Sequence, residues 1–163
     1  MEHFQIVFFL ATLLCSLVAG FLFAFAVVVM PGIRSLGDRE FLRAFQVIDG
    51  VIQKNQPIFV LVWTGSVVAL VLAAVLGFGQ LDGAGRLLLV LATLAYLLGV
   101  QLPTATINIP LNNKLQTLDL DTMDEAAQKA ARKNFEPSWN RWNFIRTVFA
   151  TLAAALLMLA GPV

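Results

Sequence analysis

The chain reads as an all-α membrane protein. Its expected form is a four-transmembrane-helix bundle, with an amphipathic surface helix between helices one and two and a short soluble helix between helices three and four. Two observations carry most of that reading. Four apolar runs, Phe4–Met30, Ile58–Phe78, Leu87–Ile109 and Ile145–Leu159, are almost free of charge. Hydrophobic residues make up 59% of the chain and charged ones 13%, about half the charged share of a soluble domain. A spanning helix needs about 20 apolar residues. The first three runs supply them directly; the fourth does so with help from the turns around Trp142 and the tail. The spans fall at about 4–30, 57–78, 87–109 and 142–161 of one integral membrane domain, residues 1–163.

Charge gives a third observation and an expected orientation. Arg34, Arg39, Arg43 and Lys54 lie between runs one and two. Lys114, Lys129, Arg132, Lys133, Arg141 and Arg146 lie between run three and the body of run four, and only Arg86 falls on the other side. The positive-inside rule puts both long connections in the cytoplasm and both termini outside, most simply in the plasma (inner) membrane. The net charge of +1 gives no reason to expect a nucleic-acid partner; the expected partner is the lipid bilayer, and oligomeric state is not legible. Met1-Glu2-His3 has no basic n-region, run one is too long for a signal-peptide core, and no A-x-A site follows, so run one is expected to stay as an anchor.

Taken in order, run one carries small residues at helical spacing: Thr12, Ser16, Ala19, Gly20 and Ala24. Such a stripe lets a second helix approach closely. Cys15, the single cysteine, can form no internal disulfide and reads as a small packing residue. Met30-Pro31-Gly32 is expected to end the helix. Asp38 then reads as a cap for a helix to Lys54. Phe41, Phe45, Ile48 and Ile52 fall on one face, and Arg39, Arg43, Gln46 and Gln53 on the other. This helix should lie along the membrane surface or fold back under the bundle. Asp49 borders the apolar face, either as an edge residue in water or as the partner of a buried cation. Pro57 suits the first turn of run two, which has a seam of Gly65, Ala69 and Ala73.

Run three ends in Gln101-Leu-Pro103-Thr104-Ala-Thr106-Ile-Asn108-Ile-Pro110-Leu-Asn112-Asn113. Thr104, Asn108 and Asn112 form a polar stripe at four-residue spacing, and each proline removes a backbone donor and favours a kink. The amides either serve a site or satisfy the kinked backbone. Thr122 reads as the cap of a short helix to Asn134, with Glu125 closing a capping box; Lys129, Arg132 and Lys133 read as a solvated face. Glu136-Pro137 is expected to open the last helix.

That helix begins with Trp139-Asn140-Arg141-Trp142-Asn143-Phe144-Ile145-Arg146. Trp139, Trp142, Asn143 and Arg146 are spaced to share a helix face. The tryptophans favour a membrane boundary, and Arg146 lies about 5 Å deeper than Trp142. An intramembrane guanidinium either snorkels to the headgroups or is paired at a site; the amide of Asn143 on the same face favours the site. His3 is the only histidine. No His/Cys/carboxylate set, glycine-rich phosphate loop, C-x-x-C or Ser/His/Asp arrangement is present, so no metal and no cofactor are expected.

The segments Asn108-x-Pro110-Leu111-Asn112-x-x-Leu115 and Trp139-x-x-Trp142-Asn143-x-x-Arg146, with the Gly20–Pro31 and Pro57 regions, resemble the anthrone oxygenase-like family of small four-helix membrane proteins. Most of that family is known only as a domain of unknown function. The resemblance implies, for some members, oxidation of an anthrone to an anthraquinone by molecular oxygen, with no cofactor. It carries over to Asn108, Asn112, Trp142, Asn143 and Arg146. Two readings follow. In an oxidoreductase, Asp49 removes a proton from the acidic methylene of a lipophilic anthrone-like or phenolic substrate, Arg146 with Asn108, Asn112 or Asn143 holds the oxyanion, Trp139 and Trp142 stack on the rings, and Thr104 belongs to the same polar stripe. In a non-catalytic small-molecule binder, scaffold or assembly protein, the same cluster latches the helix ends.

Overall fold

The computed structural model describes residues 2–161. They form five helices: α1 (Glu2–Arg34), α2 (Asp38–Gln53), α3 (Pro57–Gly77), α4 (Gly83–Gln116) and α5 (Glu125–Ala160). All but α2 are long and apolar enough to cross a membrane. The chain is an integral membrane protein, and its four long helices form the expected bundle.

Helices α1, α3, α4 and α5 close into a ring. α1 packs between α3 and α5, α4 packs on α5, and the α3–α4 seam is the sparsest. Small residues let α1 into the centre: Ala11, Cys15 and Ala19, one turn apart, are 0%, 0% and 7% exposed. Gly65, Ala69 and Ala73 form the expected seam on α3. A Cβ on Gly65 would stand 3.2 Å from Leu14 Cδ1. Of the small residues expected to form the stripe on α1, Ala19 is buried, and the expectation is corrected at exposed Gly20. A Cβ there would meet nothing within 4 Å, and the buried stripe lies one residue round the helix, at Ala19. α1 is apolar on every face, so hydropathy gave no phase to choose between neighbouring small residues.

Prolines shape α1 and α4 without ending them. Three π-helical turns, Phe25–Val29, Leu97–Gln101 and Thr104–Asn108, each end two residues before a proline: Met30 stands before Pro31, Leu102 before Pro103, Ile109 before Pro110. The last N–H before each proline reaches back five residues, as Met30 does to the Phe25 carbonyl. Widening the turn relieves the clash of the pyrrolidine ring with the carbonyl four residues back. Hence α1 runs through Pro31 to Arg34 instead of stopping, and α4 runs to Gln116. Thr106 faces outward, and its hydroxyl donates to the Leu102 carbonyl at 2.8 Å.

α2 folds under the bundle, the second of the two placements expected for it. Phe41, Leu42 and Phe45 are at most 1% exposed. Gly37 holds the cap position expected for Asp38, whose carboxylate instead accepts from Arg132 at 3.2 Å. Arg132 is no solvated-face residue. It donates to Glu136 and to the carbonyls of Arg34 and Leu36, each at 2.8 Å, and lies 4.2 Å from the Phe41 ring. It pins the α1–α2 turn to α5.

The short helix expected before the fourth span is present, but fused to it. α5 is capped by Asp124, which accepts from Ala127 N–H at 2.7 Å; Thr122 donates to the Asp119 carbonyl instead. Pro137 lies inside α5 and does not open it. It is exposed, so water can take the freed carbonyl, while buried Phe135 and Trp139 hold the turns on either side in line.

Candidate functional site

At the end of the bundle opposite the described termini, all five helices meet around a cavity of about 160 Å³. Its inner end is polar. Thr104 and Asn108 come from the π-turn of α4, Asn143 and Arg146 from α5, and all four are at most 8% exposed. Its walls are aromatic: Phe21 and Phe25 of α1, Phe45 of α2, Phe59 and Trp63 of α3, Trp139 of α5. Asp49, 3% exposed, stands where α2 closes the end, and it is the only acidic residue lining the cavity among the described residues.

Arg146 is held without a carboxylate. Nη1 donates to Thr104 Oγ1 and Nη2 to Asn143 Oδ1, both at 3.0 Å. Its Cζ lies 5.8 Å from the centre of the Trp139 ring, within cation–π range. Among the described residues no Asp or Glu oxygen lies within 4.0 Å of it, and its Nε has no acceptor. Asn143 Nδ2 donates to the Leu22 carbonyl at 3.2 Å. Asn108 Nδ2 makes a long bond, 3.5 Å, to the Trp139 carbonyl, and its Oδ1 has no donor. A guanidinium and an amide oxygen thus keep unused hydrogen-bonding capacity in a buried, aromatic space. Such groups are costly to bury unless something uses them.

Asp49 has a separate set of partners. Asn112 Nδ2 donates to Oδ1 at 2.8 Å; Gln116 and Gln53 donate to Oδ2 at 2.8 and 3.2 Å. Trp139 Nε1 donates to Asn112 Oδ1 at 2.8 Å. A continuous chain therefore runs from Arg146 over the Trp139 ring, through Asn112, to Asp49. Neither placement left open for Asp49 is met as stated: it is buried, not at an edge in water, and it makes no direct pair with Arg146; the two charges flank one cavity and are joined through Trp139 and Asn112.

Of the residues singled out from sequence, Asp49, Thr104, Asn108, Asn112, Trp139, Asn143 and Arg146 all line the cavity. Trp142 does not. Three residues on from Trp139, it falls about 60° short of a full turn and sits half-buried outside the cavity lining. Sequence reasoning missed Gln116 and placed Gln46, which is half-buried, on the water face; Gln53 is exposed as expected, yet its amide reaches Asp49. Gln116 extends the Thr104–Asn108–Asn112 stripe by one more step of four, and that spacing was the available signal. Gln46 Nε2 donates to the carbonyls of Leu115 and Leu118 at 2.9 and 3.0 Å, and so fastens α2 to the end of α4.

The sequence profile of the family described as anthrone oxygenase matches residues 51–156. The chain belongs to the anthrone oxygenase family. No curated protein and no solved structure matches it. The anthrone oxygenase match takes in α3, α4 and nearly all of α5. Seven of the eight polar and tryptophan residues named above as lining the cavity lie inside it; Asp49 lies two residues before its start.

Proposed function

We propose that this anthrone oxygenase-family protein oxidises a lipophilic anthrone-like or phenolic substrate with molecular oxygen at the cavity beside Arg146. The observation that carries the reading is a buried guanidinium with no carboxylate partner among the described residues, facing an aromatic cavity whose one acid among them is Asp49.

The chemistry needs few groups. The methylene of an anthrone is acidic because its carbanion is an aromatic enolate. Asp49 takes that proton, and Arg146 holds the enolate oxygen. Arg146 has five N–H groups, of which the protein uses two. Its fixed positive charge favours the anion before any solvent has to reorganise. The enolate reduces oxygen and forms a carbon–oxygen bond, giving a hydroperoxide once a proton returns. Loss of water then leaves the carbonyl. The balance is substrate CH₂ plus O₂ to C=O plus H₂O. The enolate itself is the reductant. The end bearing Asp49 faces the cytoplasm in this proposal, as the Lys and Arg distribution requires.

A second reading draws on Asp49 itself. Both its oxygens accept from amides, as a purely structural latch would also arrange. Oxygen uptake by the purified protein with an anthrone separates the two. The enzyme reading expects one O₂ consumed per anthraquinone formed, lost in Arg146→Met and in Asp49→Asn. Uptake no faster than the buffer's own oxidation leaves the latch.

A further inference from the structure

We infer that the cavity is filled sideways from the bilayer, through a mouth between α3 and α4 rimmed by Ile52, Phe59 and Ile109. Its ligand is accordingly a membrane-dissolved flat aromatic that carries a hydrogen-bonding oxygen. The inference rests on reading the cavity as a substrate site and adds where that substrate comes from.

Three features point to the mouth. The first is which side is shut. On the water side, α2 lies across the bundle end with Phe41, Leu42 and Phe45 at most 1% exposed. Phe45 also packs edge-on against Phe135 and Trp139, with ring centres 4.6 and 5.2 Å apart.

The second is which seam is loose. α3 and α4 are the least packed neighbours in the ring. Deep in the membrane, hydrogen bonds tie them: Ser66 to Tyr96 at 2.6 Å and Trp63 Nε1 to Gln101 Oε1 at 3.1 Å. Beyond Trp63, toward the cavity, no polar tie between α3 and α4 follows among the described residues, and the cavity lining there is Phe59 and Ile109. Ile109 is 45% exposed, and it directly follows the π-turn that carries Thr104 and Asn108. Rim and polar end thus differ in kind: aliphatic and aromatic at the outside, amide and guanidinium within.

The third is size. A cavity of about 160 Å³ matches one that holds a single benzene ring, about 150 Å³. Ligand pockets are commonly about 300–1,000 Å³. A tricyclic molecule fits only with one ring and its oxygen seated and its far ring in the mouth, or with the α3–α4 seam parted. Either arrangement places it against the rim.

The test uses the full chain in phosphatidylcholine nanodiscs, with Trp142 replaced by Phe so that only cavity-lining Trp63 and Trp139 report. The probes are anthraquinone, which partitions into lipid, and anthraquinone-2-sulfonate, whose fixed charge keeps it in water. Quenching by anthraquinone is expected to follow its mole fraction in lipid, unchanged when the buffer volume is doubled. The sulfonate is expected to quench at least 10-fold less. Ile109→Phe narrows the rim at an exposed position, where folding tolerates it. It should slow association and dissociation about 10-fold each and shift the equilibrium less than 3-fold. Ile109→Ala should speed both. Quenching that follows aqueous concentration, equal action of the sulfonate, rates indifferent to both Ile109 variants, or no quenching by either probe overturns the inference. Rim-dependent binding without oxygen uptake leaves the mouth standing and removes the oxygenase reading instead.

Discussion

At the level of single residues, Arg146 decides most. A buried charge usually answers to a buried countercharge, and breaking such a pair costs several kcal/mol. Here there is no pair to break. The desolvation of Arg146 is offset only by two neutral acceptors and a ring face. Arg146→Met keeps the bulk and removes the charge, so the melting temperature in detergent should hold or rise while oxygen uptake falls to background. A fall of several degrees would mean that Arg146 is a structural tie. Asn112 behaves oppositely, because it bridges two groups that need it. Asn112→Leu strips a donor from Asp49 and the acceptor from Trp139 Nε1. At about 1–3 kcal/mol for each buried group left unpaired, it should lower stability measurably, whereas Asn113→Leu, one position on and exposed, should not. These residues were legible as a set because an amide or guanidinium inside an apolar run has no other excuse. Their pairing was not legible. Which oxygen Arg146 meets depends on two π-turns in α4 that rotate Thr104 toward it, and the sequence announces only the prolines behind them.

At the level of elements, glycines show where helices touch. Gly99 lies in the second π-turn, and a Cβ there would sit inside the space of the Phe149 ring on α5. Gly99→Ala should cost about 1–3 kcal/mol by overpacking, read as a lower midpoint in a detergent melt. Gly20→Ala meets nothing and should gain about 0.5–1 kcal/mol from helix propensity. If Gly20→Ala were the costlier change, the helix phases described here would be wrong. Both are glycines in apolar runs, so sequence alone could not rank them; only the partner helix does.

The α4–α5 connection makes its own prediction. Asp121 accepts from Arg39 at 2.5 Å and from Arg43 at 2.8 Å. The hydrogen bond from Arg39, then that from Arg43, holds its carboxyl below the ordinary value of 3.8. A depressed folded value means the tie is fully present above the unfolded value and is lost as pH falls through the folded one. Amide exchange at Asp119–Asp121, corrected for its intrinsic pH dependence, should therefore speed up only below about pH 3.8. Asp121→Asn should remove that step, and salt should weaken the tie at any pH because all three side chains are exposed.

For the whole molecule, the sequence stated the architecture well, because lipid leaves few choices. Every backbone group must be satisfied within the membrane, so long apolar runs become helices, and four of them at this length become a bundle. Where each helix stops was less legible. α1 outruns Pro31 and α5 absorbs Pro137, because packing on both sides of a proline can outweigh one lost hydrogen bond. Orientation follows from charge rather than packing, and it has a direct test. Asp82 and Asp124 cap α4 and α5, so probes belong beside them, at exposed Ala84 and Ala126. The native Cys15 is 0% exposed and adds little background. With ten Lys and Arg residues on one side and Arg86 alone on the other, Ala84→Cys should react with an impermeant maleimide added outside intact cells, and Ala126→Cys only after the membrane is opened. The reverse pattern would place Asp49, Arg146 and the mouth beside Ile109 at the outer face. The positive-inside rule would then have failed on a charge bias of ten to one.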